Sequence, residues 1–232
     1  LKEFHTKLPP LISKTPTTQI YISPSIIKNN KYLRAVSKYR ILNMIKKTYK
    51  FTKSEFDTNR IVAVQKVKNK LLKNMFTNSR ERLNMFDDRH IDYDDTNREM
   101  RIATIYEIEK YKKHCEYNKS YIAFHGTELQ NIDKIVKMGF EYTLRKTYKG
   151  YYVCGIYVSS EIEYTLNRVY QSLKSKYLTV IMCLINIRFV YAVVEHPAIP
   201  KSTLFGAPIK PNCDSHFVTV THESGFPAGL CE

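Results

Sequence analysis

Apolar residues form a strand-helix-strand pattern in the middle of the chain. Residues 121 to 124 are all apolar or aromatic and end at His125, and a second apolar run follows at 155 to 158. Such short runs predict buried strands. Between them lie apolar residues at helical spacing, followed by a glycine where a helix would end: Ile132, Ile135, Val136, Gly139 and Phe140. A strand that stops at His125 is expected to present polar groups to a cleft.

The rest of the second half alternates strands and loops. Residues 178 to 185 and 189 to 194 are nearly continuous apolar runs rich in Ile and Val, which predicts two strands. A helix is predicted for 161 to 172. The tail from Glu195 contains many Pro and Gly residues and is predicted to be a loop with one short strand at 217 to 220.

The first half is predicted to be mostly helical. Prolines make 1 to 25 an extended arm, and 26 to 51 is loosely helical. Residues 56 to 85 place their apolar residues on one stripe, which predicts a basic amphipathic helix capped by Asp57 or Thr58. The part from 61 to 67 fits the period of a strand equally well.

A second helix is predicted at 97 to 117. Its expected buried side consists of four residues at helical spacing: Ile102, Ile105, Ile108 and Tyr111. The acidic stretch before it is predicted to be a solvated loop, since it lacks the glycine and the closing glutamate of a calcium loop. Its members are Asp87, Asp88, Asp92, Asp94 and Asp95.

Composition supports a folded protein. The 232 residues are 43% hydrophobic and 12% aromatic, which is enough for a core. No run of about 18 apolar residues occurs, so no membrane span is expected. The 5 cysteines include no Cys-x-x-Cys pair, which favours reduced thiols and an intracellular location, nucleus or cytoplasm.

The central motifs match those of a known family. The run His125-Gly126-Thr127, then Asn131-Ile132, Gly139-Phe140 and Gly155-Ile156-Tyr157, resembles the catalytic domain of the poly(ADP-ribose) polymerase family. That family transfers ADP-ribose from NAD to an acceptor. Lys66-Val67-Lys68-Asn69 also resembles the start of that domain. The order and spacing of all these motifs fit together.

The resemblance implies a fold and a division of the chain. The expected class is α+β, with an ADP-ribosyltransferase-like mixed or antiparallel sheet and a basic, mostly helical N-terminal region. Residues 1–55 would be a basic N-terminal extension, 56–232 the catalytic domain, and 119–232 its NAD-binding core. The resemblance is most specific between 121 and 170.

The resemblance also assigns site residues for NAD. The backbone of Gly126 would hold the nicotinamide amide, His125 would bond the nearby ribose, and Tyr157 would stack on the nicotinamide ring. Tyr170 would complete that stack. The remaining NAD contacts would be Thr127 at the adenosine ribose and Thr165, which stands where the family has a serine that bonds the amide.

A third catalytic group is expected at Glu232. Family members that build chains carry a glutamate at the start of a late strand, and residues 225 to 231 resemble the approach to it. The strand that should follow is missing from the sequence. A competing alignment makes His216 the third residue, with impaired or single-unit transfer, and Glu223 is a further alternative.

Charge is concentrated in one segment. Residues 28–82 contain 16 Lys and Arg against 3 acidic residues, a net of +13 out of +15 for the chain. This asymmetry favours an acidic partner, with nucleic acid as the first candidate. The acceptor implied by the family resemblance is a protein or a nucleic acid. Alternatively, the lysines cover solvent-facing helices and steer NAD. An inactive relative that binds nucleic acid or serves in assembly through this segment is therefore the second hypothesis.

A metal site is not expected. Four residues near the end could be read as zinc ligands, but structural zinc sites place each ligand pair closer together. They are Cys213, His216, His222 and Cys231.

Overall fold

The computed structural model describes residues 33–35, 65–85, 91–93, 98–117, 120–140, 153–162, 164–166, 178–193, 204–218 and 229–231. The elements in these residues are, in chain order, β1 (Leu33–Ala35), β2 (Gln65–Val67), α1 (Lys70–Asn84), β3 (Ile91–Tyr93), α2 (Arg98–Cys115), β4 (Glu116–Tyr117), β5 (Ser120–Thr127), a 3-10 turn (Leu129–Asn131), α3 (Ile132–Met138), β6 (Tyr157–Ser159), β7 (Thr179–Ile185), β8 (Val190–Val193), β9 (Ser215–Val218) and β10 (Gly229–Cys231). The protein is α+β, as predicted.

One mixed sheet of eight strands carries the fold. Its order is β3-β8-β9-β10-β6-β5-β4. Strand β7 pairs with the edge of β5 opposite to the one that pairs with β4 and β6. The pairs β3-β8 and β8-β9 are parallel, and the others are antiparallel. The longest pairing joins all seven residues of β7 to β5, from Tyr121 opposite Ile185 to Thr127 opposite Thr179. Strand β5 therefore lies inside the sheet.

Both faces of the sheet are covered, which explains why its strands are continuously apolar. On one face, Ile108 and Tyr111 of α2 pack with Tyr121 and Phe217. The Tyr111 hydroxyl also donates to the carbonyl oxygen of Ile122 at 3.1 Å. The other face buries a second cluster: Tyr191, Val193, Leu204 and Val218. Alternate residues of β8 and β9 enter opposite clusters.

Helix α1 begins later than predicted. Its N-cap is Asn69, whose Oδ1 accepts from the backbone N–H of Leu72 at 3.3 Å, so Asp57 and Thr58 do not cap it. Residues 65 to 67 form a strand with β1, and the strand alternative is correct there. The apolar stripe is only half-buried at Leu72 and Phe76, while Leu71 is 63% exposed.

The boundaries of several other elements also differ from prediction. Strand β5 continues to Thr127 and does not stop at His125, because β7 supplies hydrogen-bonding partners for two further residues. On α2, Ile102 is 56% exposed, whereas Ile108 and Tyr111 are buried against the sheet. Asp92 lies in β3 beside Tyr191 and is not part of a loop.

The two late strands change the expected end of the sheet. Strand β9 begins at Ser215, two residues before the prediction, and includes His216. Residues 229 to 231 were expected only to approach a strand, but they form β10, paired with β6 on one side and β9 on the other. No helix in the described residues is both long and apolar enough to cross a membrane.

Candidate functional site

A side-chain hydrogen bond joins the two strands that carry the central motifs. The Nδ1 of His125 on β5 lies 2.8 Å from the carbonyl oxygen of Tyr157 on β6. Since a carbonyl oxygen only accepts, Nδ1 carries the proton and Nε2 is the acceptor nitrogen of the neutral ring. The imidazole is 8% exposed and lies edge-on to Phe140, with 4.8 Å between ring centroids. The ring is thus fixed from two sides.

Register places Gly126 beside Tyr157. Phe124 is paired with Ser159 in an antiparallel ladder, so two residues further along β5 the chain passes Tyr157. Gly126 is partly exposed, and its neighbour Thr127 accepts through Oγ1 a 3.4 Å hydrogen bond from the side-chain amide of Asn131. The His-Gly-Thr and Gly-Ile-Tyr motifs, thirty residues apart in sequence, therefore meet.

The phenol of Tyr157 is held by its own loop. Its hydroxyl donates to the carbonyl oxygen of Val153 at 2.7 Å and accepts from the N–H of the same residue at 3.1 Å. Val153 is fully buried, so this double contact satisfies backbone groups that water cannot reach. The half-buried Tyr157 ring packs against the cluster that contains Tyr191. Its orientation is set before any ligand binds.

Thr165 is buried within the same region. Its hydroxyl donates to the carbonyl oxygen of Glu161 at 3.0 Å, and the carbonyl oxygen of Phe124 lies 3.4 Å away. These contacts place it next to the strand residue that precedes His125. The hydroxyl proton is donated to protein carbonyl oxygens. An external amide would therefore have to donate to the lone pairs of the hydroxyl oxygen, or the hydroxyl would have to rotate away from these carbonyls.

His216 stands on the same face of the sheet as Tyr157. Strand β10 lies between them, because Cys231 pairs with both Tyr157 and His216. Two strand spacings separate their backbones by about 10 Å. On its far side His216 is paired with Tyr191, whose ring centroid is 5.0 Å away. A cross-strand row thus connects Tyr157 with the alternative third residue.

The His216 ring is fully buried and neutral. The backbone N–H of Lys210 donates to its Nε2 at 2.9 Å, so Nδ1 must carry the proton. Burial, and secondarily the charge of Lys210, lower the pKa of His216 from 6.5 to about 4. The Nδ1–H has no hydrogen-bond partner among the described residues. At neutral pH this position offers a hydrogen-bond donor and no negative charge.

Asp214 organises the turn that leads into β9. One carboxylate oxygen accepts from the backbone N–H groups of Arg188 at 2.8 Å and Phe189 at 3.0 Å, and the other accepts from the Ser215 hydroxyl at 2.8 Å. Burial raises the pKa of Asp214, and these hydrogen bonds oppose that rise. The residue positions His216 and is fully engaged itself.

Glu161 is a buried acid that the sequence pattern did not single out. It is 4% exposed, and its Oε2 has no hydrogen-bond partner among the described residues. Burial raises its pKa from 4.5 to about 7, against the charge of Lys110. Its carbonyl oxygen supports Thr165, which places it directly behind the candidate site. A glutamate at a predicted helix start carries no sequence signal of burial.

Asn69 connects the first helix to the site. Its side-chain amide donates to the carbonyl oxygens of Val136 at 3.0 Å and Lys137 at 2.9 Å, the last turn of α3. That turn ends at Gly139, whose φ of +86° favours glycine and whose added Cβ would lie 3.2 Å from Leu72. Asn69 therefore helps to fix the backbone that carries Phe140 onto His125.

Three of the residues predicted to belong to the site lie outside the described residues: Tyr170, Glu223 and Glu232. His222 lies outside them too, as does the side chain of Cys231, so the four-ligand zinc arrangement is untested. Within the described part of the chain, no three His, Cys, Asp or Glu side chains are grouped to hold a metal ion.

The fold and this site define an α+β protein in which a buried histidine and a tyrosine are joined across neighbouring strands of a mixed sheet. Neither a family model nor a curated protein matches the chain.

Proposed function

We propose that this protein is an ADP-ribosyltransferase that uses NAD as its substrate and releases nicotinamide. The observation that carries the proposal is the 2.8 Å contact between His125 Nδ1 and the Tyr157 carbonyl oxygen. It joins the two motifs on which the resemblance to poly(ADP-ribose) polymerases depends. The proposal assigns an ADP-ribosyltransferase-like fold to the mixed sheet in which β5 lies between β6 and β7.

The tautomer of His125 suits a ribose contact. With Nδ1–H donated to Tyr157, the neutral ring has its acceptor at Nε2, and a ribose hydroxyl can donate to it. The contact with Phe140 limits rotation of the ring. His125 is thus assigned to hold the nicotinamide-side ribose, and Thr127, two residues on, to hold the adenosine ribose.

The nicotinamide end is assigned to Gly126 and Tyr157. The peptide groups of Gly126 would pair with the carboxamide, and the absence of a side chain there lets a planar ring approach the strand. Tyr157 would stack on the ring, since its phenol is already fixed by Val153. Tyr170 is assigned to the opposite side of the ring. Rigid positioning of this kind lowers the entropic part of a reaction barrier.

The reaction replaces one bond at the ribose C1′ by another. The C–N bond to nicotinamide breaks, its electron pair leaves with the ring nitrogen, and nicotinamide departs as a neutral molecule. A lone pair of the acceptor oxygen or nitrogen forms the new bond to C1′, and the acceptor proton passes to a carboxylate or to water. A carboxylate near C1′ would stabilise the positive charge that develops on the sugar. Glu232 is the proposed group, with Glu223 as an alternative.

A second candidate function rests on His216. If this residue holds the third position, the site has a neutral, buried imidazole where a carboxylate would be needed. Such a site would transfer a single unit or none. The protein would then be a relative that binds nucleic acid or takes part in assembly through its basic segment, with NAD contacts retained.

The test is release of nicotinamide from NAD, with labelled transfer to protein and to nucleic acid. Wild type is compared with His125→Ala and Tyr157→Ala, and with Lys113→Gln as a surface control on α2. Transfer by wild type and the control that disappears in the two site variants supports the proposal. No NAD binding or turnover by wild type overturns it. NAD binding without turnover favours the second candidate. Where wild type does turn NAD over, Glu232→Gln shows whether that carboxyl contributes.

A further inference from the structure

The structure brings lysines from two separate segments together on one surface. Asn69 donates to the carbonyl oxygen of Lys137, and its sequence neighbours are Lys68 and Lys70. The lysines at the start of α1 therefore lie against the end of α3. The sequence places these groups more than sixty residues apart, so their union belongs to the tertiary structure.

The lysines within each of the two helices are spaced so that they lie on one side of it. Lys66 lies on β2 and Lys68 directly follows that strand, while Lys70 and Lys73 are three residues apart on α1 and share a side of it. On α3, Lys134 and Lys137 have the same three-residue spacing. All six are exposed. We name this group the β2-α1-α3 lysine surface.

Acidic residues do not balance this surface within the described elements. Residues 65–80 contain no Asp or Glu, and α3 contains only Asp133. Like charges at helical or cross-strand spacing repel each other and reduce stability. A bound polyanion would remove that repulsion, which gives the surface a reason to hold a multiply charged partner.

The composition of the surface distinguishes between classes of polyanion. The cations are all lysines, a residue type depleted in protein interfaces, which prefer arginine and aromatic residues. The exposed apolar side chains on and next to these elements are Val67, Leu71, Met75, Met138 and Phe140, of which only Phe140 is aromatic, and the chain contains no Trp. A membrane-binding face would present a continuous apolar stripe with aromatic anchors. Lysines spread as point charges suit a phosphate backbone.

We propose that the β2-α1-α3 lysine surface binds the phosphate backbone of nucleic acid without reading its sequence. This goes beyond the proposed transferase activity and does not depend on it. Binding would place the nucleic acid beside Gly139 and Phe140, which follow α3 directly and lead to His125.

The test measures binding of the full chain to a labelled mixed-sequence DNA duplex by fluorescence anisotropy at several salt concentrations. The double variant Lys68→Gln/Lys137→Gln removes one charge from each segment, and the two single variants are measured separately. Lys113→Gln, which removes an exposed lysine of α2, is the control. Each lost phosphate contact should weaken binding about five-fold at 0.15 M salt and reduce the slope of log affinity against log salt by roughly 0.9. The double variant should therefore bind roughly 25-fold more weakly, while the control is unchanged.

Three results would overturn the proposal. The first is that wild type does not bind duplex DNA. The second is that the double variant retains the affinity and salt slope of Lys113→Gln. The third is that Lys68→Gln alone weakens binding and Lys137→Gln has no effect. Binding to phosphatidylserine vesicles or a poly-glutamate peptide in place of DNA would reassign the surface to that partner. Circular dichroism of each variant confirms that the fold is retained. Because NAD is absent throughout, loss of transferase activity and loss of DNA binding are distinguished.

Discussion

The Nδ1 of His125 and the carbonyl oxygen of Tyr157 lie 2.8 Å apart across two strands of the sheet. This hydrogen bond fixes the tautomer and the orientation of the imidazole. Its acceptor is a backbone carbonyl oxygen, so replacing the Tyr157 side chain does not remove the acceptor. Replacing His125 by Gln should retain part of the contact, whereas Ala removes it. We therefore expect nicotinamide release to fall at least about tenfold in His125→Gln and further in His125→Ala. Equal activity of wild type and His125→Ala would contradict the role of this residue.

The hydroxyl of Tyr157 is predicted to serve stability and its ring to serve binding. Tyr157→Phe leaves the buried N–H and carbonyl oxygen of Val153 without their partner, which should cost about 1 to 3 kcal/mol in the free energy of unfolding. Urea denaturation measures this cost, with Tyr106→Phe, a change at a 66% exposed tyrosine of α2, as the control. NAD affinity should change little in Tyr157→Phe and fall in Tyr157→Leu. The reverse order would show that the hydroxyl contacts the ligand.

The buried carboxyl of Glu161 should make the protein less stable as pH rises. Its pKa is about 7 in the folded protein and 4.5 in the unfolded chain, so its contribution is complete below pH 4.5 and is lost as pH rises through 7. The difference corresponds to about 3 kcal/mol. Glu161→Gln should therefore unfold at higher urea than wild type at pH 8.5 and should lose this pH dependence. Glu81→Gln, an exposed change on α1, should behave as wild type; if Glu161→Gln does so too, the acid is not buried in solution.

His216 should produce the opposite slope at lower pH. Its pKa is lowered to about 4 by burial, so the neutral ring stabilises the fold above pH 6.5, and that stability is lost as pH falls toward 4. His216→Gln keeps an acceptor for the Lys210 N–H and removes the titration. We expect the variant to show a smaller fall in stability between pH 6.5 and 4 than wild type. Parallel stability curves for the two proteins would disprove the neutral, buried assignment.

The stability of the protein should depend on the side-chain amide of Asn69. A replacement that keeps only the helix-capping oxygen should not restore it. Asn69→Asp retains an oxygen for the Leu72 N–H but places a carboxylate against the carbonyl oxygens of Val136 and Lys137. The expected cost is about 2 kcal/mol or more in unfolding free energy. Asn74→Asp, an exposed change on the same helix, should cost far less. Similar values for both would mean that the link between α1 and α3 contributes nothing to stability.

Much of the secondary structure followed from local pattern. The apolar runs at 178 to 185 and 189 to 194 correspond to β7 and β8, and the helical spacing after Thr127 corresponds to α3 with Gly139 at its end. These elements are predictable because burial on both faces demands apolar residues throughout, and a positive φ demands glycine. The exposure of Ile102 was not predictable, because spacing along a helix does not show where the sheet beneath it ends.

The residues of the candidate site also fall into two groups, those that the sequence identifies and those that only the structure reveals. Its motif residues, His125, Gly126 and Tyr157, follow from the order of the motifs in the sequence, and one hydrogen bond joins His125 to Tyr157 in the structure. Glu161 and Asn69 were not identified as site-related, because each acts on atoms distant in sequence or through burial that no local pattern records. Their environment exists only once α2, α3 and the sheet have packed.

The sequence by itself determined which segments are apolar enough to be buried, where α3 must end, and which residues form the motifs. Only the tertiary structure decided that β10 lies between Tyr157 and His216, that Glu161 is buried, and that the start of α1 meets the end of α3. The physical reason is that hydrophobicity and backbone preference act locally along the chain. Strand order, desolvation and the meeting of distant charges arise from contacts between segments that local preferences do not specify.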